Sequence, residues 1–143
     1  MNLKAKISQL IICGFEGTTP PKELTRLIKT HGIGGVILFQ NNLQDPIQIA
    51  RLNHQLQHLS TLAPLLIMID QEGGRVSRLP PSFTRFPACA LLGDCNSYNL
   101  SYRMGQATAR ELHAVGINMN LAPVLDVRTN PANTVIGDRA FGS

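Results

Sequence analysis

Two rhythms of apolar residues alternate along the chain. Short unbroken runs, QLIICG at 9–14, VILF at 36–39 and LLIMI at 65–69, predict strands buried on both faces of a parallel sheet, and INMNLA at 117–122 predicts a fourth strand. Between them, apolar residues recur every third or fourth position. After the loop Gly17-Thr18-Thr19-Pro20-Pro21, Thr19 is placed to cap a helix and Pro20 to occupy its first turn. Leu24, Leu27 and Ile28 form its apolar face, and Gly32 ends it. Asp45 with Gln48 three residues on is a capping-box pattern with Pro46 at the first helical position, followed by Ile49, Leu52, Leu56 and Leu59. A third helix is expected over 97–115, with Leu100, Met104, Ala107, Leu112 and Val115 inward and Gly116 closing it. Four strands with three intervening helices, β-α-β-α-β-α-β, select an α/β fold with a right-handed parallel sheet and helices outside. The pattern alone does not distinguish half of a barrel from an open sheet. At 143 residues, without internal repeat or linker, the chain fits one domain.

The apolar run at 65–69 ends in DQEGGRVSR. The carboxyl ends of parallel strands carry ligand sites, so Asp70 is placed to face a substrate. Gly73 and Gly74 allow a sharp turn, and Arg75 and Arg78 add planar, permanently charged donors. No periodicity follows until about residue 97. A loop of that length is far beyond the usual two to six residues and points to a site. The turn is neither GxxxxGK[ST] nor GxGxxG, and acids ahead of its glycines would repel a phosphate, which disfavours a nucleotide. The plainer alternative is that Asp70 and Arg75 form a structural ion pair. Asp126 is a second carboxylate just past a strand end. Asp70 and Asp126 without a nearby His or third carboxylate make a poor metal site.

Composition narrows the choices. A hydrophobic share of 43% without Trp fits an ordinary α/β domain and excludes disorder, while the net charge of +4 is scattered, with no basic stripe for nucleic acid. Cys13, Cys89 and Cys95 are odd in number and form no CxxC pair, so neither a disulfide framework nor a zinc site is indicated. The apolar patch at the N-terminus is interrupted by Ser8 and Gln9, unlike a signal peptide, and nothing approaches the roughly 20 apolar residues of a membrane span. A cytoplasmic protein with reduced thiols and no cofactor is expected. His54 and His58 lie four apart on the second helix, off its apolar stripe and without a carboxylate partner, and read as a solvated face. His31 and His113 need no role.

Five segments in order, GGVILFQNN (34–42), IMIDQEGGRVSRL (67–79), FTRFPA (83–88), ARELHAVGINMNLAPVLDV (109–127) and IGDRAFG (136–142), resemble the N-terminal half of the family 3 glycoside hydrolases. The DQEGGRV segment resembles most closely the bacterial β-N-acetylhexosaminidases of that family, which recycle cell-wall muropeptides. The resemblance implies half of a TIM-type (β/α)8 barrel, so that 1–143 is a single incomplete N-terminal domain. It implies sugar-binding roles for Asp70, Arg78 and Arg139, on an N-acetylglucosamine-containing saccharide. A carboxylate can accept from two vicinal hydroxyls while guanidinium groups donate to ring or N-acetyl oxygens. Glu72, Arg75 and Asp126 would orient those groups. The family's retaining chemistry needs a carboxylate nucleophile and a proton donor. The resemblance places the donor in a KHFPGHG-like segment and the nucleophile on a later strand, and neither occurs in these 143 residues. No catalytic residue is therefore assigned, and a complementary C-terminal half is an expected partner. The alternative is a non-catalytic carbohydrate-binding half-barrel module.

Overall fold

The computed structural model describes residues 1–143. Its elements run α1 (Leu3–Ser8), β1 (Ile12–Cys13), α2 (Lys22–Arg26), continued by one π-helical turn over Leu27–His31, and β2 (Gly35–Leu38). There follow α3 (Pro46–Leu59), β3 (Leu66–Ile69), α4 (Cys89–Cys95), α5 (Tyr98–Ala114) and β4 (Met119–Asn120). The four strands lie side by side in chain order and all pair in parallel. This is the α/β architecture and the four-strand count read from the sequence, with three helical crossovers and two short helices besides.

Helix α3 shows how locally the chain is specified. Asp45 caps it by accepting from the backbone N–H groups of Ile47 and Gln48, both at 2.9 Å, and Pro46 occupies the first turn. The Gln48 side chain accepts from the Gln44 N–H rather than from that of Asp45, so the capping box closes one residue early. Ile49, Leu52 and Leu56 are fully buried against Val36, Leu38, Ile67 and Ile69 in one core that also takes Ile28, Leu112 and Val115. Each such side chain contributes about 1.5–3 kcal/mol by leaving water.

Side chains alternate across a strand, and partners in a parallel ladder point the same way. Val36 pairs with Ile67 and Leu38 with Ile69, and all four face the helices. Leu66, Met68 and Met119 therefore take the other side of the sheet, the side a closed barrel turns inward. Leu66 is 43% exposed there, so the strand read as buried on both faces is covered fully on one.

Several boundaries differ from expectation. The run at 9–14 forms only a two-residue strand, because Asn2 caps α1 by accepting from the Ala5 N–H and that helix carries the chain to Ser8. Pro21, not Thr19, sits at the cap of α2, and Pro20 lies outside the helix. The long loop holds α4. Leu100 was expected inward on α5 but is 46% exposed, and Thr108 shares the buried face with Leu112. At 117–122 only Met119 and Asn120 join the ladder. Asn118 takes a ladder place with its side chain, accepting from the Ile67 N–H at 2.7 Å and donating to the Leu65 carbonyl at 2.9 Å.

Candidate functional site

Asp70 follows Ile69 directly and so projects to the same side as Met68, at the carboxyl rim of β3. The turn behind it is held by two amides. Gln71 is buried and accepts from the backbone N–H groups of Arg78 (2.8 Å) and Leu79 (3.2 Å), while its amide donates to Ser77 Oγ at 3.0 Å. Asn120, on β4, accepts from the Gln71 N–H at 3.0 Å and donates to the Gln71 carbonyl at 3.1 Å. Gly73 and Gly74 have φ of +96° and +55°. A Cβ on Gly73 would lie 2.5 Å from the Pro87 carbonyl oxygen, and one on Gly74 2.8 Å from Ala88 Cα, so both the turn and the close approach require glycine.

This frame brings Arg78 to Asp70, with Nη2 donating to Oδ2 at 3.5 Å, the long end of a contact. The guanidinium also lies over the Phe39 ring, 6.0 Å from its centroid, and its Nε is buried with no acceptor. Most of the donors of Arg78 are therefore uncommitted, as is Asp70 Oδ1. Side-chain exposures of 30% for Arg78 and 25% for Asp70 leave the pair open from one side.

Arg139 arrives from the far end of the chain. Its Nε and Nη2 donate to the two oxygens of Glu72 at 2.8 and 2.7 Å, a fork-to-fork pair, and Nη1 donates to the Val135 carbonyl at 3.2 Å. Three of its five N–H groups are thereby used, and two remain. The Glu72 hydrogen bond raises the Arg139 pKa most. Partial burial opposes this, and the charges of Glu72, Asp126 and Asp70 add to the rise. The charges of Asp70 and Asp126 thus act on Arg139 in the same direction as that of Glu72.

Arg75 does not pair with Asp70, contrary to the structural alternative drawn from the sequence. It donates to Asp138 at 3.0 Å and to the carbonyls of Thr134, Val135 and Ile136 at 2.6–3.2 Å, tying the segment that carries Arg139 down onto the β3 loop. Glu72 thus holds Arg139 directly, and Arg75 holds the segment that carries it. Gln71 and Asn120 were missed, since nothing in their spacing marks them as loop braces. A cavity of about 390 Å³ lies not at Asp70 but behind Glu72, between α4, α5 and the end of β4, and is mostly apolar. Its lining Cys89 is buried. Burial raises the thiol pKa, Glu72 and Asp138 raise it further, and a backbone hydrogen bond opposes them. No group of three or more His, Cys, Asp or Glu side chains is arranged to hold a metal ion.

A parallel sheet with helical crossovers whose carboxyl rim bears a carboxylate, an arginine and an aromatic ring defines a class: a (β/α) domain with polar groups at its carboxyl rim. The chain belongs to the glycosyl hydrolase family 3 N-terminal domain family, whose model matches residues 2–143. It is 42% identical over 139 residues to a β-hexosaminidase of Alkalilimnicola ehrlichii, covering 93% of this chain and 39% of the relative. A family 3 β-N-acetylglucosaminidase from Paenibacillus sp. superposes with a TM-score of 0.96 at 42% identity, over all of this chain and 28% of that one. NagZ from Neisseria gonorrhoeae, solved in complex with N-trifluoroacetyl-D-glucosamine, superposes with a TM-score of 0.82 at 34% identity, over 92% of this chain and 40% of that one. The chain spans about two fifths or less of the length of these relatives.

Proposed function

We propose that this chain is the sugar-recognising part of a β-N-acetylhexosaminidase, with Asp70, Arg78 and Arg139 as the side chains that bind an N-acetylglucosamine-containing saccharide of cell-wall recycling in the cytoplasm. One observation carries the reading: at the rim of β3, Asp70 keeps a free oxygen and Arg78 keeps unused donors beside it, while Arg139, held by Glu72 of the same turn, keeps two more. Asp70 accepts from paired hydroxyls, and the arginines donate to ring or acetamido oxygens and fix the orientation of the sugar. Phe39 supplies an apolar surface beside Arg78. Family kinship with β-hexosaminidases and the glucosamine derivative in the related Neisseria structure support the substrate class. Three free cysteines fit a reducing compartment.

Hydrolysis needs an attacking carboxylate and a proton donor flanking the bond. Asp70 and Glu72 are committed to binding and bracing in this reading, and the two reacting groups come from the remaining (β/α) units, as further chain or as a complementary half. The test measures N-acetylglucosamine binding by NMR titration and turnover of a chromogenic β-N-acetylglucosaminide. The 143-residue chain binds, Asp70→Ala abolishes binding, and turnover appears only when the remaining barrel units are supplied. Turnover by the 143-residue chain alone that is lost in Asp70→Ala refutes this division of labour. Binding unchanged by Asp70→Ala refutes the site.

A further inference from the structure

His54 and His58 stand one turn apart on the exposed side of α3, and their ring centroids are 4.0 Å apart with the planes tilted by 39°. No carboxylate pairs with either ring. Nδ1 of His58 lies 2.8 Å from the carbonyl oxygen of His54. A carbonyl can only accept, so the hydrogen of this contact belongs to Nδ1, and in the neutral ring the lone pair is left on Nε2, at the far edge. Metal-bound histidines are commonly held in this way, by donation from the second ring nitrogen to a carbonyl, which fixes tautomer and direction before the ion arrives. The residue spacing alone leaves the pair as a solvated face. The hydrogen bond and the ring approach are what the fold adds.

The pair also opens onto a shallow hollow between the start of α2 and the exposed side of α3, bordered by Pro20, Thr25, Gln55 and Leu59. That hollow leaves room for the water ligands that two imidazoles alone cannot replace. We propose that His54 and His58 form a two-imidazole site for a borderline divalent transition metal. Donor type and the general order of affinities favour Cu²⁺ over Ni²⁺ and Zn²⁺. The site lies on the helical exterior and is independent of the saccharide rim, so its success or failure leaves the proposed function untouched.

The test uses the intact 143-residue chain. Calorimetric titration with Ni²⁺ should give one site per chain, and His54→Asn or His58→Asn should each weaken it by about tenfold or more, at least the effect of losing an outer partner of a metal ligand. His113→Asn and Cys95→Ser, at exposed positions elsewhere, should leave it unchanged. A second measurement needs no substitution: sub-stoichiometric Cu²⁺ should broaden the ring resonances of His54 and His58 and spare those of His31 and His113. Affinity within twofold of the parent in both His54→Asn and His58→Asn overturns the proposal. So does loss of the site in Cys95→Ser or His113→Asn, or uniform broadening of all four histidines.

Discussion

Removing either partner of the Arg139–Glu72 pair should destabilise the protein, but by unequal amounts. The two contacts are 2.8 and 2.7 Å, and the side-chain exposures are 24% for Arg139 and 5% for Glu72. In Arg139→Met the survivor is a carboxylate sealed from water, for which a loss of about 3–5 kcal/mol is expected while the segment above stays docked. In Glu72→Gln the survivor is a guanidinium that can turn to solvent, and the amide oxygen still accepts one bond, so about 1–2 kcal/mol is expected. The double variant leaves no buried charge and should cost less than the sum of the two, with a coupling of about 1–3 kcal/mol. Urea unfolding followed by circular dichroism gives the global values. Amide exchange at Gly137 and Arg139, which donate to the carbonyls of Asn133 and Ile136, shows whether the segment lifts off locally and so caps the loss. A larger loss for Glu72→Gln than for Arg139→Met, or simple additivity, would refute the argument from unequal burial.

Gly74→Ala forces a left-handed residue to carry a Cβ against Ala88 and should cost about 2–4 kcal/mol in urea unfolding; a loss below 1 would show that the turn relaxes freely. Asp45→Ala removes both cap bonds of α3 and should cost about 1 kcal/mol, with Asp45→Asn recovering most of it; equal losses in the two would count against the cap. Cys89 gives a pH dependence. Its folded pKa is raised above the ordinary 9.0, so the folded state holds the proton longer, and that stability is present below pH 9.0 and lost as pH rises towards the folded value. Cys89→Ala should flatten the alkaline slope of unfolding, and exposed Cys95 should react with a thiol reagent well before Cys89.

Strands β2 and β3 and helix α3 were legible because their signals are local: unbroken apolar runs, an Asp cap, a Pro in the first turn. The Asp70–Arg78 contact was within reach for the same reason, eight residues apart across two glycines. What could not be read depends on partners distant in sequence. Ile67 shows no sign that its N–H will be satisfied by Asn118, fifty-one residues on, so the alternation INMNLA suggested a longer strand than the ladder contains. Helix α4, at seven residues, is too short to establish a period, and Leu100 looks inward by spacing while the fold covers it only in part. The asparagines and glutamines that brace the rim carry no apolar signature at all. Arg139 was placed by family resemblance. Its tie to Glu72 across sixty-seven residues is visible only in three dimensions.

That tie has a consequence for how the protein is made. During synthesis Asp70, Arg78 and their glycine turn leave the ribosome together and can meet at once, whereas Glu72 waits until Arg139, sixty-seven residues on, has emerged. Until then the carboxylate is bathed in water and the rim is half assembled. Its closure therefore comes after that of the Asp70–Arg78 turn, a later step set by chain order as much as by energy.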